Sequence, residues 1–312
     1  MRTPKMMNGF LLSMVFFTVI NNPLFSLNKC QSLQWINKSV FFTISEVYYG
    51  FNIRQKMVIY RPFWLDEHIV DPGNFRDYDG TRERKRVQFR ISKSVYLEVP
   101  GGGGSGHNVS IEDPPSVMGM AMLKRGITVA VVDYQPLLEY NADFETPLED
   151  RQRTAFVWDQ YEDLALALKK IREMGFKVVG TFGSSYGAYL CSLVETWSPG
   201  WQGQLFLGAG IYDVFSAGDY WFHWFGVYLP GEDLLNQWSP ANSYFEGENV
   251  FIACPIIDIT VSPAHSFWLK GKWPKAILKE YPAGHNFIEV EKELLEDLIE
   301  WILGVKTVHA NM

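Results

Sequence analysis

Short apolar runs alternate with longer amphipathic segments from about residue 90 to residue 303 of this 312-residue chain. The run Ile127–Val132 is apolar throughout, which is typical of a strand covered on both faces. The segment Thr154–Met174 has helical spacing, and Gly175 is placed to end it as a left-handed cap. Strands and helices that alternate over short connections predict a mostly parallel sheet with helices on both faces. We therefore expect an α/β fold.

The remaining predicted elements extend this alternation. The other strands are Val40–Ile44, Met57–Tyr60, Val87–Ile91, Val95–Val99, Lys177–Phe182, Gln204–Gly210, Val250–Cys254 and Lys275–Tyr281. The other helices are Tyr186–Trp197, Ser262–Lys270 and Ile288–Leu303. No linker divides residues 40–304, so we expect a single domain over residues 27–312.

Composition and charge exclude several classes of protein. Hydrophobic residues make up 47% and charged residues 20%, a balance that excludes an intrinsically disordered chain. The net charge of −7 argues against nucleic acid as a partner, because phosphates would be repelled. The basic run Arg82–Arg86 is interrupted by a glutamate and is interpreted as a solvated turn. Three cysteines are too few for a disulfide framework or a cysteine-rich metal site.

The first 26 residues are interpreted separately from the fold. Arg2 and Lys5 precede the apolar stretch Gly9–Ile20, which is short for a membrane span of roughly 20 residues. This order fits the charged and apolar regions of a secretory signal peptide. We expect residues 1–26 to be a signal peptide of a secreted or periplasmic protein. The alternative is a retained N-terminal membrane anchor, which would be the chain's one route to a membrane.

The most specific motif is Gly183-Ser184-Ser185-Tyr186-Gly187, a G-x-S-x-G sequence between a predicted strand and a predicted helix. A tight turn at this position would expose the Ser185 hydroxyl above the edge of the sheet. Glycines at the two flanking positions leave room where a Cβ would collide. Ser185 is therefore the candidate nucleophile, and Ser184 is the neighbouring hydroxyl, one residue out of register.

A serine nucleophile needs a base, and the base needs an acid that orients it. His285 lies in a loop after a predicted strand and before the last helix, which makes it the candidate base. Asp258 follows the strand Val250–Cys254 and is the candidate acid. Asp213 also follows a strand, so it stays open as the alternative acid.

A second motif, Pro100–Gly106, contains five glycines and follows a predicted strand. Its glycine spacing also fits a dinucleotide-binding loop, with Asp133 as the ribose-binding acid. Two observations argue against that cofactor. Pro114 and Pro115 interrupt the helix that would hold the pyrophosphate, and Asp133 lies 27 residues beyond Gly106, farther than expected. We expect no cofactor and no metal.

Four motifs together resemble the α/β-hydrolases, and within them the prolyl-oligopeptidase-type catalytic domain and the esterase/dienelactone-hydrolase branches. The matching motifs are Gly183–Gly187, Trp238–Pro240, Cys254–Val261 and Gly284–Phe287. The resemblance covers roughly residues 90–303, and the chain order Ser185, Asp258, His285 agrees with that of the superfamily. One departure is that Cys254-Pro255 stands where the peptidases have His-Gly. The resemblance implies a three-layer fold around a mostly parallel, eight-stranded sheet.

The resemblance also implies how the glycine loop would act. Pro100–Gly106 occupies the position of the oxyanion motif of lipases and esterases, with Pro100 in place of that motif's histidine. The N–H group of Tyr186 would be one oxyanion donor, and that of Gly102 or Gly103 the other.

These observations predict a serine hydrolase that cleaves carboxylic esters through an acyl-enzyme on Ser185. A peptidase acting on short peptides stays open, because the elbow carries the tyrosine of the peptidase branch. Only about 60 residues lie between the leader and the core, too few for a gating propeller, which favours the esterase. A hydrolase fold without activity, used for binding, would lack a member of the triad. His107, Trp221 and Trp224 are candidate contacts to the ester or short-peptide substrate.

Overall fold

The computed structural model describes residues 30–35, 40–48, 56–65, 89–91, 93–102, 115–134, 150–200, 202–217 and 232–303. Ten strands occur in this part of the chain. They are β1 Cys30–Trp35, β2 Val40–Tyr48, β3 Lys56–Leu65, β4 Phe89–Ile91, β5 Ser94–Val99, β6 Thr128–Val132, β7 Lys177–Ser184, β8 Gln204–Gly208, β9 Val250–Pro255 and β10 Ile277–Tyr281.

The helices of the same residues connect or cover these strands. They are α1 Val117–Lys124, α2 Asp150–Glu173, α3 Tyr186–Trp197, α4 Glu232–Gln237, α5 Ala264–Lys272 and α6 Glu291–Leu303, with single 3-10 turns at Pro240–Asn242 and Ile288–Val290. None of the helices in the described ranges has the length and hydropathy needed to cross a membrane. The predicted signal peptide, residues 1–26, lies outside those ranges.

All ten strands form one sheet, in the order β1-β2-β3-β6-β5-β7-β8-β9-β10, with β4 paired to β3. Strands β5 to β10 pair in parallel, whereas β3 is antiparallel to both β2 and β6. The sheet therefore has ten strands rather than the expected eight. The difference comes from β1 and β4, which pair with β2 and β3 at the antiparallel end of the sheet.

The core is divided between the two faces of the sheet, as a three-layer α/β fold requires. Along β5, Val95 and Leu97 point to one face, where they join a cluster that includes Leu168 of α2 and Leu190 of α3. Tyr96 points to the other face, into a cluster that includes apolar residues of α1 and α6. Because both faces are covered, the parallel strands can be apolar along their whole length.

Most predicted elements occur within a few residues of their expected bounds. Gly175 has a φ of +81° and its N–H donates to Arg172 O at 2.9 Å, which confirms the left-handed cap at the end of α2. One strand and two α-helices of the described residues were not predicted: β1, α1 and α4. Helix α1 begins at Val117, and the side chain of its N-cap residue, Ser116, accepts the N–H of Gly119. Its eight residues are almost all apolar, so no helical periodicity marks them in the sequence.

Candidate active site

Ser185 lies on a sharp turn between β7 and α3. Its backbone has φ 52° and ψ −118°, a conformation that a residue with a side chain rarely adopts. Such a backbone costs on the order of 1–3 kcal/mol and persists where the surrounding structure holds it. Part of that support is the hydrogen bond that the Ser185 N–H donates to Gly208 O, at 2.8 Å. The turn has the geometry expected of a nucleophile elbow.

The two glycines of the elbow are required by close backbone contacts. A Cβ placed on Gly183 would lie 2.5 Å from Gly187 O. A Cβ on Gly187 would lie 2.1 Å from Val99 O and 2.6 Å from Pro100 O. No side chain fits at such distances, so the motif's glycines have the steric reason that the sequence suggested.

The beginning of the glycine-rich loop packs against this elbow. A Cβ on Gly101 would lie 2.8 Å from Ser184 O and 3.0 Å from Ser185 Cβ. Gly102 follows with a φ of +75°. The described part of the loop is therefore next to Ser185, on the side opposite to β8. Gly103, the other predicted donor of this loop, lies outside the described residues.

Asp258 and His285 are in direct contact. His285 Nδ1 lies 2.7 Å from Asp258 Oδ2, and the Asp258 side chain is fully buried. The second carboxylate oxygen accepts the N–H groups of Thr260 at 2.7 Å and Val261 at 3.0 Å. A carboxylate can only accept, so the proton of a neutral imidazole is on Nδ1, and Nε2 is left as an acceptor.

The carboxyl of Asp258 is held in its ionised form. Burial on its own would raise the pKa of Asp258, but the hydrogen bonds from His285, Val261 and Thr260 outweigh it. The pKa of Asp258 is consequently lower than its ordinary value. A carboxylate in this environment can orient the imidazole and stabilise its protonated form.

Asp258 and His285 lie in two neighbouring loops, the acid loop after β9 (residues 256–263) and the histidine loop after β10 (residues 282–287). Asp258 follows β9, and His285 follows the neighbouring strand β10. Two hydrogen bonds, Ile256 N–H to Tyr281 O and Ile257 N–H to Ala283 O, tie the acid loop to the histidine loop. The ring of Phe287, two residues after His285, lies 3.4 Å from the position that a Cβ on Gly208 would occupy. The carbonyl oxygen of Gly208 in turn accepts the N–H of Ser185. The nucleophile and the acid–histidine pair are therefore at the same carboxyl edge of the sheet.

The alternative acid, Asp213, has other partners. Its carboxylate accepts the N–H of Phe215 at 3.1 Å and the hydroxyls of Ser216 and Ser239. Its backbone N–H donates to Nδ1 of His265 at 3.2 Å. His265 is buried, and burial lowers its pKa below the ordinary value, as fits a structural residue.

Other candidates from the sequence are not described by the structure. The predicted substrate contacts His107, Trp221 and Trp224 lie outside the described residues. Within those residues, no group of three or more His, Cys, Asp and Glu side chains is arranged to hold a metal ion.

Two polar residues near the carboxyl ends of β5 and β6 were not predicted from the sequence. Tyr134, just beyond β6, donates its hydroxyl to Pro100 O at 2.9 Å. Glu98, near the end of β5, accepts the N–H of Ser116 at 3.3 Å. The available signal was a polar side chain at the carboxyl end of a buried strand, which is where sites form in parallel sheets.

Several solved structures are similar to this chain. No family model and no curated protein sequence matches it. A prolyl endopeptidase structure is 16% identical, covers 85% of this chain and 39% of its own, and has a TM-score of 0.58. Oligopeptidase B from Leishmania major is 13% identical, with 84% and 37% covered and a TM-score of 0.57. A truncated carbohydrate esterase from gut microbiota is 14% identical, with 88% and 99% covered and a TM-score of 0.56.

These similarities establish the fold. The chain has the α/β-hydrolase fold, as the resemblance of its motifs predicted. It spans less than two fifths of the two peptidase chains and nearly all of the truncated esterase.

Proposed function

We propose that this protein is a serine hydrolase that cleaves carboxylic esters. The observation that carries the proposal is the hydrogen bond of 2.7 Å between His285 and the buried, ionised Asp258, at the edge of the sheet where Ser185 occupies a strained elbow. A buried carboxylate that orients a histidine lets the imidazole act as the base that makes a serine hydroxyl nucleophilic. The α/β-hydrolase fold supports the proposal by analogy with other proteins of this fold.

The reaction would proceed through an acyl-enzyme. The Ser185 hydroxyl attacks the ester carbonyl carbon, and His285 Nε2 takes the hydroxyl proton. The oxyanion of the tetrahedral intermediate accepts hydrogen bonds from the N–H of Tyr186 and of Gly102 or Gly103. His285 then gives the proton to the departing alcohol. Water, activated by the same imidazole, hydrolyses the acyl-enzyme and restores Ser185.

Ester hydrolysis by matched serine variants tests this proposal. We expect Ser185→Ala to lower the kcat for p-nitrophenyl acetate by at least about 10³-fold, because the nucleophile is lost. Ser184→Ala is the matched control, since it removes the neighbouring hydroxyl and leaves the elbow. Equal activity of the two variants would refute the proposal.

A peptidase is the second candidate function. Two observations favour it: the tyrosine at position 186 of the elbow, and the fold similarity to a prolyl endopeptidase and to oligopeptidase B. Measuring turnover of p-nitrophenyl acyl esters and of prolyl and alanyl aminoacyl amides distinguishes the esterase from the peptidase. We expect turnover of the esters, and turnover of the amides alone would establish the peptidase instead.

A further inference from the structure

Two backbone segments meet beside Ser185, and each would supply one proposed oxyanion donor. The start of α3 contains Tyr186, and the segment after β5 contains Gly102. The segments meet at Gly187, because a Cβ there would lie 2.6 Å from Pro100 O. The distance between the two donors therefore depends on where the Pro100 peptide group is held.

Tyr134 holds that peptide group through a hydrogen bond. Its hydroxyl donates to Pro100 O at 2.9 Å, and the residue is only 2% exposed. Burial raises the pKa of Tyr134 far above its ordinary value, so the hydroxyl keeps its proton and stays a donor. A buried, protonated donor fixes the carbonyl more firmly than water would, because water exchanges and tolerates several positions.

The ring of Tyr134 also contacts the other segment. Its centroid lies 6.2 Å from that of Tyr186, and the Tyr186 hydroxyl donates to Gln160 Oε1 at 2.5 Å. Tyr134 thus reaches one donor segment through its hydroxyl and the other through its ring.

We propose that Tyr134 is a positioning residue for the oxyanion hole, which sets the Gly102 segment against the start of α3. This inference rests on the proposed serine-hydrolase function. Oxyanion donors act on charge that develops in the transition state, so their misplacement lowers kcat and leaves KM nearly unchanged.

The test compares two tyrosine-to-phenylalanine variants. Tyr134→Phe removes the hydroxyl that holds Pro100. Tyr161→Phe is the matched control, because the Tyr161 hydroxyl makes a hydrogen bond of 2.8 Å to Ser198 Oγ beyond the C-terminal end of α3, away from the elbow. With p-nitrophenyl acetate we expect about a tenfold lower kcat for Tyr134→Phe and a KM within twofold of wild type. This loss is smaller than the 10²–10³-fold that removal of a whole donor causes. Tyr161→Phe should keep both constants within twofold.

Amide hydrogen exchange provides a second measurement that does not depend on turnover. Exchange at Gly101 and Gly102 should become faster in Tyr134→Phe and stay unchanged in Tyr161→Phe. A kcat of Tyr134→Phe within twofold of wild type would overturn the inference, as would a loss of the same size in both variants. If the wild-type protein shows no turnover that depends on Ser185, the proposed function itself fails, which is a different result from an active enzyme insensitive to Tyr134→Phe.

Discussion

The elbow and the acid–histidine pair lie at the same edge of the sheet but are held together by different forces. The elbow is fixed by backbone atoms in close contact, with no space for a Cβ at Gly183 or Gly187. The acid loop is fixed by hydrogen bonds to both oxygens of Asp258, and its isoleucines Ile257 and Ile259 are exposed to solvent.

This difference separates residues needed for folding from residues needed for chemistry. A change in the elbow displaces a packed backbone, which the surrounding core cannot accommodate. A change in the Asp258 carboxylate alters charge and hydrogen bonding while the backbone can keep its course. The predictions below test this separation.

The largest effect is expected from Gly187→Ala. The new Cβ would lie 2.1 Å from Val99 O, so β5 and α3 cannot keep their separation, and we expect no stably folded protein. Urea unfolding followed by circular dichroism measures this. A Gly187→Ala protein whose free energy of unfolding is within about 1 kcal/mol of wild type would show that the elbow is not held by close packing.

The next effect is expected from Asp258→Asn. The amide cannot hold the imidazole in the same tautomer or stabilise its charge, so kcat for esters should fall by about 10³-fold or more. The melting temperature should stay near that of wild type. Asp213→Asn is the control, because its carboxylate contacts Ser216, Ser239 and a backbone N–H instead of a histidine. A larger loss of kcat in Asp213→Asn would transfer the role of the acid to Asp213.

Glu98 gives a smaller effect that depends on pH. Burial raises its pKa to about 7 from an ordinary value of 4.5, and Oε2 has no hydrogen-bond partner among the described residues. Tyr96 lies two residues earlier on the same face of β5. Burial raises the pKa of Tyr96, and the charge of Glu98 raises it further. A raised pKa favours the protonated form in the folded protein, so this stabilisation is present below pH 4.5 and is lost as the pH rises through 7.

Glu98→Gln removes this titration and keeps an oxygen that can accept the Ser116 N–H. We expect the stability of the variant relative to wild type to increase by about 3 kcal/mol between pH 4.5 and pH 8. Urea unfolding at both pH values measures it. Two stability profiles that run parallel across this range would show that Glu98 is ionised without cost in the folded protein.

The smallest effect is expected from Gly271→Ala in α5. A Cβ on Gly271 would meet nothing within 4 Å, and alanine is a better helix former than glycine. We expect a gain of about 0.5–1 kcal/mol in the free energy of unfolding. A loss of stability here would mean that glycine substitutions destabilise this protein without a steric clash. The effect of Gly187→Ala could then not be attributed to the contact of its Cβ with Val99 O.

Most of the correct predictions from the sequence rest on short motifs and on their position directly after a strand. The elbow is a short motif between a strand and a helix, so its five residues contain the whole steric argument. Asp258 and His285 follow strands that turned out to be neighbours, β9 and β10. The sequence left Asp258 and Asp213 open as the acid because both follow a strand. The contact of Asp258 with His285 is visible only in three dimensions.

The missed features depend on contacts between distant parts of the chain. Tyr134 and Pro100 are 34 residues apart, and nothing in either local sequence pairs them. Helix α1 is apolar on nearly every side, so it has no periodic pattern to detect. The expected contacts of His107, Trp221 and Trp224 with substrate stay predictions.

The identity of the residue that reacts with a fluorophosphonate tests the central claim most directly. The wild-type protein is labelled to completion, and mass spectrometry of its peptides locates the adduct. We predict one adduct per chain, on Ser185, with labelling abolished in Ser185→Ala and retained in Ser184→Ala. An adduct on any other residue, or labelling that persists in Ser185→Ala, would contradict the account.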